Sequence, residues 1–204
     1  RKGKPIFLST GTATLGEVEE AVRVIRETGN GQIVLLHCTL SYPCPPEAIN
    51  LRAMLTMREV FPECPVGLSD HSLGIAVPLA AAALGAAAIE KHFTVDKRLP
   101  GSPDHHLSVD PAELRAMVEG IRTVEAALGS PRKGPVDAEM AAYRLARRSL
   151  VAARAIPRGA VITREMLTYK RPGTGIPPKF LAMVVGRTAR VDIVPDEVLT
   201  WDMV

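Results

Sequence analysis

The chain has 204 residues, of which 47% are hydrophobic and 23% charged, a balance that is typical of a globular protein and excludes a disordered chain. The net charge is +3 and the basic residues are scattered, so no nucleic-acid partner is predicted. The longest apolar stretch, around residues 75–89, is mostly alanine and too short to span a bilayer, so no membrane partner is expected.

Four strand-then-helix units follow one another in the first 130 residues. Each opens with a short apolar run typical of a buried strand and continues with apolar residues at helical spacing. The predicted strands are 5–11, 32–39, 66–70 and 87–94. The predicted helices are 14–29, 51–61, 76–84 and 110–129. Asp110 as N-cap and Pro111 at the first helical position support the last helix.

Strands that are apolar along their whole length and alternate with helices predict a parallel sheet, and hence the α/β class. Right-handed connections place such strands side by side, with their carboxyl ends on one rim. Four units make half of an eight-fold barrel. Because half a barrel leaves two strand edges open, and the chain enters a strand almost at once without an initiator Met, the other half is expected upstream of Arg1.

The composition changes after residue 130. Residues 131–145 are rich in Pro, Gly and charges and are predicted to form a linker. Residues 146–204 contain short β-rich runs separated by Pro-Arg-Gly and Pro-Asp turns, which predict a small β-rich domain.

The three cysteines, Cys38, Cys44 and Cys64, are odd in number and lack metal-ligand spacing. This usage predicts reduced thiols in a cytoplasmic protein rather than a disulfide framework. The cysteines are expected to serve as small buried apolar residues.

His71 and His92 lie at the carboxyl ends of the third and fourth predicted strands, on the rim where parallel barrels carry their reactive groups. Two imidazoles with open coordination positions would suit a catalytic metal that also holds water and substrate. Two ligands are fewer than the three of a catalytic zinc site, so the spacing equally allows two hydrogen-bonded histidines without a metal.

Three other features have both a functional and a structural interpretation. Ser9 and Ser69 at strand ends either bind a phosphate or carboxylate, or cap the next helix. The loop 100–108, with one Asp and two His, is either a substrate loop or a structural turn. Arg171 is either a carboxylate or sugar ligand or simply solvated, and the glycine-rich segment 170–178 lacks the phosphate-loop pattern.

Five segments, in order, resemble the sialic acid synthase family, which includes N-acetylneuraminate, legionaminate and pseudaminate synthases. They are "LHCTLSYPCPPEAINLRAM", "VGLSDHS", "IEKHFT", "ARRSLVA" and "KRPGTGI". The resemblance covers nearly the whole chain. It implies that residues 1–130 are the C-terminal half of a (β/α)8 TIM barrel and residues 146–204 a SAF, or antifreeze-like, domain.

The resemblance also implies a reaction. In that family the histidines that match His71 and His92 ligate a divalent cation, usually Mn²⁺, with Mg²⁺ or Co²⁺ as alternatives. The cation binds the aldehyde oxygen of an open-chain N-acyl hexosamine such as N-acetylmannosamine, where negative charge grows. Phosphoenolpyruvate attacks through its methylene carbon, water adds, and phosphate leaves by C–O cleavage.

Further residues take their expected roles from the same resemblance. Ser9 and Ser69 match contacts to phosphoenolpyruvate. Tyr42, Glu90 and Asp104 match positions that line the sugar site and are the expected catalytic residues.

Two more positions concern substrate binding. Where the family often has Asn or Ser, this chain has Leu40, so a polar contact to phosphoenolpyruvate is expected either to be lost or to move to Ser41. Arg171 matches an arginine that reaches the partner's sugar across a domain-swapped homodimer.

The family's phosphate-binding lysines and its candidate general base lie upstream, so these residues alone are expected to be poor catalysts. The alternative hypothesis is a non-catalytic sugar-binding or interaction module that kept the fold. Leu40 favours that alternative, whereas His71, His92, Asp104 and Arg171 oppose it. Ice binding is disfavoured, because residues 161–173 are rich in charge and lack a flat, repetitive Thr/Ala face.

Overall fold

The computed structural model describes residues 2–204. They form two compact units, the first ending at Ser130 and the second comprising Pro131–Val204. Across residues 2–204, no helix has both the length and the apolar character needed to cross a membrane.

The first unit contains one parallel sheet in the strand order β1-β2-β3-β4. Its strands are β1 (Ile6–Ser9), β2 (Ile33–Cys38), β3 (Val66–Asp70) and β4 (Ile89–Lys91). Its helices are α1 (Leu15–Glu27), α2 (Pro46–Ile49), α3 (Ala53–Val60), α4 (Ala76–Ala83) and α5 (Pro111–Leu128). All four predicted strand–helix units are present, and the predicted α/β class is confirmed.

The proline-rich loop after β2 differs from the prediction. It contains a separate helical turn, α2, before the predicted helix begins as α3. Asn50 adopts a left-handed backbone conformation with φ of 54° at the end of α2, and a residue in that conformation ends a helix. The two short helices therefore cannot merge into one.

The sheet has one face packed on helices. Leu35, Val66 and Leu68 are fully buried there against residues of α1, α3 and α4. Side chains alternate along a strand, so the next residues face the other way. On that second face Phe7 is 58% exposed and Glu90 is exposed. Within the described residues, this second face is therefore exposed at β1 and β4, whereas Leu36 and Ser69 on the central strands are buried.

Two helices begin with the expected capping chemistry. The Asp110 carboxylate accepts hydrogen bonds from the amides of Ala112 and Glu113, and the Glu113 side chain accepts one from the Asp110 amide. Thr14 and Glu17 form the same reciprocal box at the start of α1. Such caps satisfy backbone donors that the first helical turn leaves free.

The second unit has less regular β-structure than its sequence suggests. It contains α6 (Met140–Leu145), β5 (Ser149–Ala152), β6 (Leu167–Lys170) and α7 (Leu181–Val184), together with 3-10 turns. β5 and β6 pair antiparallel, and isolated bridges such as Ile156–Ile193 connect the remaining runs. Frequent Pro and Gly turns keep the runs too short for longer ladders.

Gly175, in the "KRPGTGI" segment, allows two backbones of the second unit to approach closely. A Cβ atom at this position would overlap the carbonyl oxygen of Leu199, while the amide of the next residue, Ile176, donates to that same oxygen at 2.8 Å. The Gly175 amide also donates to Ser149 Oγ at 2.9 Å. The glycine is therefore required for packing.

We expect Gly175→Ala to lower the free energy of unfolding by about 1–3 kcal/mol, because the added methyl group overpacks a buried junction. Thermal and denaturant unfolding would measure the change. Gly134→Ala is the matched control, since a Cβ atom there meets no atom within 4 Å. Equal stability of the two variants would contradict the packing role of Gly175.

Candidate active site

Three rings cluster where β3 and β4 end. The ring centroids of His71 and His92 are 5.2 Å apart, with the planes at 70°. Tyr42, from the loop after β2, lies 4.2 Å from His71 and 5.8 Å from His92 by the same measure. The structure therefore brings together both predicted metal ligands and one predicted catalytic residue.

His71 is buried and held by the preceding strand and loop. Its Nδ1 lies 3.0 Å from the carbonyl oxygen of Thr39, and its own carbonyl accepts a hydrogen bond from the Cys44 amide at 2.9 Å. Because a carbonyl only accepts, Nδ1 must carry the proton. The Nε2 lone pair is then free to bind a cation. A hydrogen bond from the other ring nitrogen to a carbonyl, as Nδ1 makes to Thr39, is typical of a metal-binding histidine.

The separation of the two histidines fits a shared cation. Two imidazoles that bind one divalent ion through nitrogens about 2.1 Å away hold their ring centroids roughly 4.5–5.5 Å apart. The observed 5.2 Å lies in that interval. Within residues 2–204, no group of three His, Cys, Asp or Glu side chains is arranged to hold a metal, so other ligands would have to complete the coordination.

Asp104 approaches His92 from the loop after β4. Its Oδ2 atom lies 3.8 Å from His92 Nδ1, which is too long for a direct hydrogen bond. The Asp104 carbonyl accepts from the Ser108 amide at 3.1 Å and from Ser108 Oγ at 2.8 Å. Thr94 Oγ1, three residues after β4, lies 2.9 Å from His105 Nδ1. These contacts fix the loop that carries the carboxylate.

Ser69 and Glu90 are direct neighbours across the β3–β4 register. The Ser69 hydroxyl donates to Glu90 Oε1 at 2.6 Å. A ligand that accepts a hydrogen bond from Ser69 must therefore draw the hydroxyl proton away from Glu90. The two predicted substrate contacts lie on the same face of the sheet as the histidines.

Two groups near the histidines remain protonated at neutral pH. Partial burial raises the pKa of the Tyr42 phenol, and the negative charges of Asp104 and Glu90 act in the same direction. Burial likewise raises the pKa of the Cys38 thiol, whose sulfur lies 3.9 Å from His71 Nδ1. Tyr42 can therefore donate a hydrogen bond here, and the Cys38 thiol keeps its proton unless a bound cation displaces it.

The remaining first-unit candidates lie farther along the rim. Ser9 is exposed at the end of β1, two strands from Ser69, a lateral separation of about 10 Å. Ser41 donates to the Pro43 carbonyl at 3.3 Å. Leu40 is 52% exposed and lies against Gly11, so this position offers an apolar surface.

Arg171 lies in the second unit, in the turn after β6. Its side chain is exposed, and within residues 2–204 it has no hydrogen bond, ion pair or ring contact. The turn itself is fixed, because Ser149 Oγ donates to the Pro172 carbonyl at 2.7 Å and the Gly173 amide donates to the Arg144 carbonyl at 2.8 Å. A rigid turn therefore presents a free guanidinium group.

Comparison with known proteins identifies the family. The NeuB family model matches residues 1–133, and the SAF domain model matches residues 147–204. The chain belongs to the NeuB family. The resemblance to the sialic acid synthases is thereby confirmed, as is a half-barrel followed by a SAF domain.

NeuB-family relatives align over almost the whole chain. An uncharacterized protein from Methanocaldococcus jannaschii is 46% identical over 99% of the chain and 59% of its own length. The N,N'-diacetyllegionaminic acid synthase of Legionella pneumophila is 43% identical, covering 98% of the chain and 57% of the enzyme. The N-acetylneuraminate-9-phosphate synthase of Homo sapiens is 37% identical, covering 100% of the chain and 56% of the enzyme. The chain thus spans just over half the length of these relatives.

Solved NeuB-family structures agree with the fold. The spore coat polysaccharide biosynthesis protein SpsE from Bacillus subtilis is 37% identical, with a TM-score of 0.59 over 98% of this chain and 61% of that one. The N-acetylneuraminic acid synthetase of Leptospira borgpetersenii is 39% identical, with a TM-score of 0.62 over 69% of this chain and 48% of that one.

Two features of this NeuB-family site were not predicted from the sequence. The Thr39 carbonyl that orients His71 cannot be inferred from a side-chain pattern, because every residue carries a carbonyl group. A buried ion pair also joins Asp70 and Lys91, the residues directly before the two histidines. The alternation of side chains along a strand could have revealed this pair, since it places Asp70 and Lys91 together on the face opposite the histidines.

Proposed function

We propose that the full-length protein condenses phosphoenolpyruvate with an open-chain N-acyl hexosamine and releases phosphate, with the help of a divalent cation. The observation that supports this most directly is the histidine pair at the ends of β3 and β4, 5.2 Å apart, with His71 Nε2 free. The named relatives in the NeuB family are sugar acid synthases, which supports the reaction class.

The reaction forms one carbon–carbon bond and one carbon–oxygen bond to water, and it breaks the carbon–oxygen bond to phosphate, with loss of the water's protons leaving a ketone. The methylene carbon of phosphoenolpyruvate adds to the aldehyde carbon, water adds to the resulting cationic carbon, and phosphate leaves from that carbon. His71 and His92 would hold the cation, Mn²⁺ by preference. When bound, the cation supplies Lewis-acid polarisation of the acceptor aldehyde, where negative charge develops.

The surrounding side chains would bind and orient the acceptor. Tyr42 packs against both histidines and, being protonated, donates a hydrogen bond to an acceptor oxygen. Asp104 beside His92 and Glu90 beside Ser69 accept hydrogen bonds from the sugar hydroxyls. Ser69 donates a hydrogen bond to phosphoenolpyruvate once its hydroxyl group has turned away from Glu90.

The phosphoenolpyruvate site extends along the rim away from the histidines. Ser9 contributes from the end of β1. Ser41 replaces the polar contact that the apolar side chain of Leu40 does not make. Upstream residues of the full-length protein would provide the lysines for the phosphate and the general base.

Arg171 is proposed to act on the sugar bound by a second copy of the chain. Its guanidinium has no partner among the described residues of its own unit and lies on a fixed turn. A group that binds the ligand of another subunit needs both properties. The active protein would then be a domain-swapped homodimer, in which each acceptor site uses residues from two chains.

The names of the relatives suggest which acceptor sugars to test. N-acetylmannosamine is the first candidate, and a dideoxy-diacetamido hexose, as expected for a legionaminic or a pseudaminic acid synthase, is the second. The relative named for legionaminic acid is 43% identical and the one named for neuraminic acid is 37% identical. Both acceptors therefore belong in the same assay.

Phosphate release from phosphoenolpyruvate by the full-length protein tests the proposal. The assay contains Mn²⁺ and either N-acetylmannosamine, the diacetamido hexose or no sugar. We expect release that depends on one sugar and is abolished by EDTA. Sugar-independent release would indicate hydrolysis of phosphoenolpyruvate and reject the synthase. No release with any aldose despite bound Mn²⁺ would also reject it and would favour the sugar-binding module.

A further inference from the structure

The most deeply buried ion pair in the first unit lies directly behind the histidine pair. Lys91 Nζ is 2.6 Å from Asp70 Oδ2, and the two side chains are only 2% and 1% exposed. Neither group faces the substrate side of the sheet. The proposed chemistry gives them no part, so their presence needs another explanation.

The register places this pair between the two histidine-bearing strand ends. Asp70 and Lys91 are direct partners across the β3–β4 pairing. Each is followed at once by one of the histidines, and successive strand residues face opposite sides. The ion pair therefore links the two strand ends on the helix side at the level where His71 and His92 project on the other side.

Additional hydrogen bonds extend the link to both sides of His71. Lys91 Nζ donates to the Ser72 carbonyl at 2.7 Å. Asp70 accepts from the Ser72 amide at 2.9 Å and from Ser72 Oγ at 3.0 Å. The residues before and after His71 are thus bonded to one another and to the residue before His92.

Stability alone does not account for such a pair. Removing two charges from water is unfavourable, and a buried ion pair is often no more stabilising than apolar residues of similar volume. What a pair held by four directed hydrogen bonds does provide is a defined geometry. Strand β4 has only three residues, and just beyond it the His92 carbonyl accepts a hydrogen bond from the Val109 amide at 2.8 Å. These backbone bonds leave the orientation of the imidazole to side-chain contacts.

We propose that Asp70 and Lys91 are positioning residues that set the separation and orientation of His71 and His92, and thereby the affinity for the divalent cation. This inference rests on the proposed function, because it assumes that the two histidines share a metal. It assigns a role to a pair that never touches the substrate.

Binding of Mn²⁺ alone to the full-length protein, measured by calorimetry and by Mn²⁺ electron paramagnetic resonance, tests the inference. We expect Lys91→Met and Asp70→Asn/Lys91→Met to weaken Mn²⁺ binding about 10- to 100-fold, as loss of supporting contacts around a metal site does. The double variant leaves no buried charge unpaired, so it is expected to fold even where the single variant does not. Lys91→Arg, which keeps the charge, should restore part of the affinity.

Lys97→Met is the matched control. Lys97, in the loop after β4, pairs with Glu113 of α5 at 2.6 Å and has no bond to either histidine-bearing strand end among the described contacts, so Mn²⁺ affinity should not change. Folded Asp70→Asn/Lys91→Met protein with wild-type Mn²⁺ affinity would overturn the positioning role. Wild-type protein that binds no Mn²⁺ would instead overturn the proposed metal site itself, so the two failures are distinguishable.

Discussion

The double variant His71→Ala/His92→Ala is expected to bind no Mn²⁺ and to lose sugar-dependent phosphate release by about 10³-fold or more. Lewis-acid stabilisation of charge at an oxygen is worth several kcal/mol, and about 4 kcal/mol corresponds to a factor of roughly 10³ in rate. The loss should appear in kcat, because charge develops on the aldehyde oxygen only as the carbon–carbon bond forms.

His37→Gln is the matched control for the histidine pair. His37 lies on β2, with its Nε2 2.7 Å from the Ile49 carbonyl, and glutamine retains a donor for that contact. We expect unchanged Mn²⁺ affinity and turnover. If the double variant kept both metal binding and turnover, the metal would have to be held by other residues, and the proposed site would be wrong.

The second large effect concerns Arg171. Arg171→Ala is expected to lower kcat/KM by roughly 10- to 150-fold, since hydrogen bonds from a charged group contribute about 1.5–3 kcal/mol.

Mixed dimers test whether Arg171 acts across the dimer. One chain carries His71→Ala/His92→Ala and the other Arg171→Ala, and two affinity tags select the mixed species.

If Arg171 acts on the partner's sugar, each such mixed dimer has one intact site and one doubly defective site. It should then show about half the wild-type activity. The reciprocal control pairs a wild-type chain with a chain carrying all three substitutions, and this dimer should keep only the residual activity of an Arg171→Ala site. A first dimer with only the residual Arg171→Ala activity and a half-active second one would place Arg171 in the site of its own chain.

Much of the first unit follows directly from the sequence. Uninterrupted apolar runs at β2 and β3 require burial on both sides along most of their length, which explains why a parallel sheet is predicted correctly. The rim position of His71 and His92 follows from the same argument, because parallel strands end at one edge. The capping box at Asp110 is equally local and equally predictable.

Features that depend on distant contacts do not follow from the sequence. Tyr42 meets the histidine rings only because the loop after β2 folds back, with the Cys44 amide donating to the His71 carbonyl. The ends of β5 and β6 are likewise set by tertiary pairing, so composition overstates the β-content of the second unit. The contact between the Leu40 side chain and Gly11 joins two loops and is therefore visible only in the folded structure.

The tripeptides Ser69–His71 and Glu90–His92 share one pattern, in which a buried charge separates two residues that face the site. A shift of β4 by one residue would turn Lys91 to the open face and His92 toward the helices. Asp70 would then be buried without a cation, which is strongly unfavourable. This penalty would act together with the backbone bonds of Ala87 and Ala88 to β3 in favouring the observed register. The charged pair thus disfavours a sheet in which β4 is misaligned.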